Sequence, residues 1–203
     1  MRAVEILSGE HLLLRGLLGG LRRLLQETTR IDALDAEAAA GIVQLLERFA
    51  DGSHQDKEED FLFPQLLSRA PLAVGRTVRQ LLAVHESERT QLEELRARLE
   101  GAAYGDPLSL DTFVGDAKAY ITFQRKHADC EDVVLFPLAQ EFLKEADDAA
   151  IVAGFERTEH RYARLHGASP TRLAAELCAR LGIEATPPTS SEGSAKGLAG
   201  SSV

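Results

Sequence analysis

HQDKEEDFLFP, His54 to Pro64, returns later in the chain as HADCEDVVLFP, His127 to Pro137. Both copies fit one template, H-x-D-x-E-[ED]-x-x-L-F-P. His54 corresponds to His127, Asp56 to Asp129 and Glu58 to Glu131. In each copy a His precedes a Glu by four residues. On a helix that spacing puts imidazole and carboxylate on one face, with Cβ atoms about 5–6 Å apart. Each copy also has a lone His upstream, His11 lying 43 residues before His54 and His85 lying 42 before His127. The chain reads as two similar halves, each H…HxxxE, and matched polar spacings of this kind constrain a fold more than one motif does.

The flanking pattern is helical. Leu7, His11, Leu14, Leu18, Leu21 and Leu25 recur in steps of three and four, the seam of a bundle helix over about 3–28. A lone His in such a seam is ordinarily a hydrogen-bonded core residue. Asp35 is a candidate cap for a second helix running to about Ser68. Asp51-Gly52 interrupts it, since a Gly inside a helix costs roughly 1 kcal/mol relative to Ala, and Pro64 is expected to kink or end it. Pro71 opens a third helix to about Gly101, with Val78, Leu81, His85, Glu88, Leu92, Leu95 and Leu99 as its stripe. Asp106-Pro107, a cap followed by Pro at the first helical position, starts a fourth helix to about Leu143. Its stripe is Phe113, Ala117, Tyr120, Gln124, His127, Glu131, Val134 and Leu138. Two shorter helices follow, about 147–166 and 170–181, the second capped by Ser169. His160 and His166 have no motif around them and read as surface residues.

The expected fold is all-α: an up-down-up-down antiparallel four-helix bundle over residues 1–145, with two additional short C-terminal helices over 146–183. Residues 184–203 are rich in Pro, Ser and Gly and nearly free of large apolar side chains, so a disordered tail is expected there. The net charge of −9 and the lack of a basic run argue against nucleic acid and anionic membranes as partners. No stretch approaches the ~18 apolar residues that span a bilayer. The first residues lack the apolar run of a signal peptide, and two Cys in unrelated segments make no disulfide framework. A cytoplasmic protein is expected.

In such a bundle the inward faces meet at one level, which gathers His11, His54, Glu58, His85, His127 and Glu131. Burying two carboxylates without compensation would cost several kcal/mol each, and a cation among them removes that cost. Four imidazole nitrogens and four carboxylate oxygens shared between two metals give four donors each. A bridging oxide or hydroxide adds one more, and one position per metal stays open to water, O2, NO or peroxide. Iron, manganese and zinc all suit imidazole and carboxylate. Three neighbours are candidates for the surrounding shell. Glu88 is either a ligand or ligand partner, or a flank residue. Tyr120 is either a donor to something bound at the metals or a core tyrosine. Cys130, next to Glu131, is either redox-active or, the preferred reading, small buried packing.

These residues resemble the hemerythrin-like, or HHE cation-binding, family over roughly residues 3–143. The resemblance implies a four-helix bundle with a non-haem centre of two iron ions, bridged by two carboxylates and an oxide or hydroxide. It assigns His11, His54, His85 and His127 as His ligands and Glu58 and Glu131 as the bridges. The family's oxygen carriers have five His ligands, with HxxxH on the third helix and an Asp after the last His. Here Arg89 stands four residues after His85, and Glu131 closes the last motif. The four-His, two-Glu set is more similar to bacterial di-iron proteins linked to nitric oxide response and iron–sulfur centre repair. The function implied is binding of O2, NO or peroxide for sensing or stress defence. The alternatives are an enzyme turning over NO or peroxide or donating iron, and a structural or metal-storage bundle.

Overall fold

The computed structural model describes residues 1–180 and 182, and the expected tail, 184–203, lies outside them. Among the described residues the chain is helical throughout, with no strand. Helix α1 is Arg2–Ile31, and it stops at Asp32, whose φ of 52° breaks the helix with a left-handed residue. Helix α2 covers residues 36–69 in one continuous run of α- and π-helical turns. Its cap is Asp35, whose carboxylate accepts the Ala38 N–H at 3.0 Å. Helix α3 is Leu72–Ala103. Helix α4 covers 107–142, with Asp106 accepting the Ser109 N–H at 2.9 Å ahead of Pro107. Helix α5 is Glu145–His166 and α6 is Pro170–Arg180. Ser169 caps α6, its hydroxyl accepting the Arg172 N–H at 3.3 Å. Helices α1 to α4 form the bundle, α5 lies against α1 and α2, and α6 lies along α1.

Pro64 does not end α2, which runs on to residue 69, close to the expected end at about Ser68. A proline lacks the N–H for its own helical bond and its ring crowds the carbonyl four residues back. The helix absorbs both problems by widening. Glu58–Leu62 is π-helical, and the Phe63 N–H bonds the Glu58 carbonyl five residues back. The second copy does the same, with Glu131–Leu135 π-helical and the Phe136 N–H on the Glu131 carbonyl. Both wide turns therefore begin at the acid of the repeat. Turns of this kind gather at functional sites.

The wide turn also corrects the α4 stripe. A 3.6-residue period carries the buried face from Glu131 to Val134 and Leu138. The extra residue shifts it by one, so Val134 is 41% exposed while Leu135 and Ala139 are fully buried. In α2 the interruption at Asp51-Gly52 is a third wide stretch, Glu47–His54. Gly52 is needed there because Tyr162 of α5 lies against it, and a Cβ would sit 2.8 Å from the Tyr162 hydroxyl.

The core is in two pieces with a polar layer between them. One apolar cluster takes Leu14 to Leu25 of α1, Ala39 to Ala50 of α2, Leu92 to Ala102 of α3, and Phe113 to Ala128 of α4. The other takes Ala3 to Leu7, Leu62 to Leu66, Val74 to Leu81, and Leu135 to Ala139. The gap falls at one level on every helix of the bundle, and His11, His54, Glu58, His85, Glu88 and Glu131 fill it. All six are buried. Burial against apolar layers on both sides fixes the helix rotations and so the directions of these side chains.

Candidate metal centre

The four His Nε2 atoms form two facing pairs. His11 Nε2 is 3.2 Å from His54 Nε2, and His85 Nε2 is 3.2 Å from His127 Nε2. The carboxylates of Glu58 and Glu131 lie between the pairs. Glu131 puts Oε2 at 3.3 Å from His11 and Oε1 at 3.0 Å from His127. Glu58 puts Oε1 at 3.8 Å from His54 and Oε2 at 3.5 Å from His85. Each acid thus offers one oxygen to each His pair. Two groups of potential ligand atoms result: His11, His54, Glu58 and Glu131, and then His85, His127 and Glu131.

Every ring is held by its other nitrogen. Nδ1 of His11 meets Asp132 at 2.9 Å, and Nδ1 of His54 meets Glu10 at 2.8 Å. Nδ1 of His85 meets Glu59 at 2.7 Å, and Nδ1 of His127 meets Glu88 at 2.8 Å. A carboxylate on Nδ1 assigns the proton to that nitrogen, leaving Nε2 as a lone pair aimed inward. Carboxylate–imidazole pairs of this kind orient metal-binding histidines and raise their basicity.

Two lone pairs facing each other at 3.2 Å repel unless something positive lies between or beside them. The acids report the same need. With the four rings neutral and their protons on Nδ1, all four oxygens of Glu58 and Glu131 are buried and have no hydrogen-bond donor. An unpaired buried carboxylate is among the most expensive features a fold can carry, so the donor set fits a cation pair. The proton balance without an ion shows the strain. Burial and the neighbouring Glu131 charge push the Glu58 carboxyl far above its usual range. Burial acts in the same direction on Glu131, but His127 and His11 outweigh it and hold that acid well below the usual range. Burial disfavours the His127 cation, yet Glu131 and Glu88 override it and raise that imidazole to about 11. His54 moves the other way, lowered by burial and by His11 beside it.

The six residues singled out by the repeat come together. Glu88 is fully buried and holds His127, while its second oxygen accepts from Gln55 Nε2 at 2.8 Å. Tyr120 is a core residue whose hydroxyl accepts from Gln124 Nε2 at 3.1 Å. Cys130 is exposed, which corrects the expectation of buried packing. It precedes Glu131 by one residue, and one residue is about 100° of helix, so burial of Glu131 turns Cys130 outward. His160 and His166 are at the surface.

Sequence reasoning missed the orienting acids Glu10, Glu59 and Asp132. Glu59 and Asp132 had a signal, since they are the second acid of the repeated E-[ED] pair. Glu10 had none, because no acid precedes His85 at the matching place. Also missed was Lys57, buried with its ammonium on both Glu10 and Glu159. Glu159 is on α5, and it also accepts from Ser53 at 2.8 Å and from Thr171 of α6 at 2.8 Å. Burial raises Glu159, but Lys57 and the serines bring it down to about 2. The two C-terminal helices therefore reach Glu10, the orienting acid of His54, through Lys57 and, from α6, also through the Thr171 hydroxyl at 3.4 Å.

Fold and site together define a helical bundle with a buried cation site built from paired imidazoles and two shared carboxylates. The chain belongs to the hemerythrin HHE cation-binding domain family, whose sequence profile matches residues 2–139. Uncharacterised proteins of Mycobacterium bovis and Mycobacterium tuberculosis are 30% identical to it over 163 residues. The match takes in 78% of this chain and 62% of each relative's length. No solved structure matches the chain significantly. Among the described residues no helix is long and apolar enough to cross a membrane.

Proposed function

We propose that the chain holds two iron ions, for which His11 and His54 on one side, His85 and His127 on the other, and the shared carboxylates of Glu58 and Glu131 would be the ligands. The observation that carries this is the set of four buried carboxylate oxygens without a donor, each within reach of an Nε2 pair. Bound there, the ions and a bridging oxide or hydroxide would supply redox chemistry and open coordination positions for O2, NO or peroxide. The residues around them have three tasks. Asp132, Glu10, Glu59 and Glu88 hold the four rings with Nε2 inward. The leucine and phenylalanine layers above and below exclude water. Metal uptake displaces protons, because neutral Nε2 and ionised carboxylates are the binding forms.

An apolar ligand fits the approach to the site. A pocket of about 230 Å³ between α3 and α4 is lined by Leu81, Val84 and Phe123 and reaches His127, with Cys130 at its edge. O2 and NO partition into the apolar part of this lining, which Thr77, Gln80 and Lys126 complete. The reading is a di-iron centre that binds O2, NO or peroxide, for sensing or for oxidative or nitrosative stress defence.

The test is metal content per chain, followed by absorption spectra of the anaerobically reduced protein exposed to O2, NO and peroxide. Two irons with a spectrum that responds to one of the three are expected. Zinc in the purified protein, or a spectrum indifferent to all three, would refute it and leave a structural or storage role.

A further inference from the structure

The ligand set is symmetric, but the charges behind it are not. Each imidazole leans on one carboxylate, and three of those four carboxylates have a cation against them. Asp132, behind His11, receives Arg15 at 2.7 Å. Glu59, behind His85, receives Arg89 at 2.5 Å. Arg15 and Arg89 are matched in the two halves, each four residues after its His. Glu10, behind His54, receives Lys57. Glu88, behind His127, has no Lys or Arg nitrogen in ion-pair range among the described residues and is held instead by the Gln55 amide. The repeat shows where the symmetry breaks. Lys57 is the third residue after His54, and the third residue after His127 is Cys130, exposed and uncharged. The three cations also touch outer acids, Asp129, Glu86 and Glu159. Asp129 and Glu86 are 63% and 78% exposed and so are largely screened, and Glu159 takes hydroxyl donors from Ser53, Ser169 and Thr171.

We propose that the two metal positions are unequal, and that the His85/His127 position takes the first divalent ion because Glu88 is the one histidine-bound carboxylate left without a cation. The inference rests on the two-ion reading of the site. A bare buried carboxylate makes its imidazole a stronger donor and adds an uncompensated negative charge beside the ion. A carboxylate already shared with an ammonium or guanidinium does less of both.

The experiment is titration of the full, chelator-stripped chain with Zn2+ alone, read by calorimetry and by the imidazole 15N resonances. Zinc is redox-silent, so the result is independent of any gas chemistry. Two ions are expected, the first shifting His85 and His127 ahead of His11 and His54, with a stepwise affinity ratio of about 10–100-fold, the usual size of an outer-partner effect. Glu88→Gln keeps an acceptor for Nδ1 but removes the charge. It should weaken the first step and bring the two steps together. Arg15→Gln, at a partly exposed side chain, bares Asp132 and should bring them together from the other side, by tightening the second step. Equal first and second steps in the natural chain overturn the inference alone, as does first occupancy of His11 and His54. Loss of both steps in equal measure in Glu88→Gln, with the metal-free melting temperature unchanged, overturns it too. Uptake of fewer than two ions overturns the two-ion reading and this inference with it.

Discussion

Lys57→Met tests the link between the C-terminal helices and the site. Lys57 is 1% exposed and its ammonium serves two carboxylates, Glu10 and Glu159. Met has a similar length and stays apolar, so the cavity term is small. Glu159 keeps its three hydroxyl donors and can rehydrate. Glu10, 3% exposed, keeps only His54 at 2.8 Å and Thr171 at the long distance of 3.4 Å. Removing one partner of a buried pair costs about 3–5 kcal/mol, and partial rescue of Glu159 puts this case near 3 kcal/mol. At about 2–4 °C per kcal/mol for a chain of this size, the metal-free melting temperature should fall by about 6–12 °C at pH 7. The pH dependence supplies the sign. Burial raises Glu10, but His54 and Lys57 lower it below its ordinary value, and Glu159 is held at about 2. Acids depressed by folding contribute stability above their unfolded pKa, and the contribution disappears as pH falls through the folded pKa. The natural chain therefore loses this stability below about pH 4.5, and the deficit of the variant should shrink there. Scanning calorimetry at pH 7 and pH 3 checks both statements. A variant melting within a degree of the natural chain, or a deficit unchanged between the two pH values, would refute the reasoning.

Three further outcomes follow from the same geometry. Glu58→Met should abolish binding of at least one ion and yet raise the stability of the metal-free chain by about 1–3 kcal/mol, because an apolar residue replaces a buried carboxylate without donors; denaturant unfolding of the chelator-treated protein checks it. Asp51 has a buried oxygen without a donor, and burial and the nearby Glu88 raise its carboxyl to about 7. A raised acid costs stability as pH climbs from its unfolded to its folded value, so Asp51→Asn should gain on the natural chain between about pH 4 and 7, by about 2 kcal/mol after discounting partial exposure; stability curves at pH 4.5 and 8 decide this. Gly154→Ala should loosen α5 from α2, since a Cβ there would lie 2.3 Å from the Phe61 ring, at about 1–3 kcal/mol for overpacking; faster amide exchange in 145–166 than in α3 would show that the loss is local.

The sequence determined a good deal alone. The three-and-four spacing set the helices, because burial of one face requires it. The seams of α1 and α3 survive residue for residue, with His11 and His85 in leucine positions. The duplicated H…HxxxE order singled out six polar residues: four from the two HxxxE copies, and His11 and His85 from the matched upstream spacing. Three things depended on the tertiary structure. Helix period alone could not show that Pro64 and Pro137 widen a turn instead of ending a helix. That choice belongs to the packed neighbours, and it moved burial from Val134 to Leu135. Glu88 was legible as a candidate partner, but which acid stands behind which ring, Glu10 to His54 and Glu88 to His127, is a contact between helices that leaves no fixed spacing in the chain. The imbalance between the two positions was equally out of reach. Lys57 and Cys130 are visible as a mismatch in the repeat, but only the packed bundle decides that one side chain points inward onto an acid and the other points out to water.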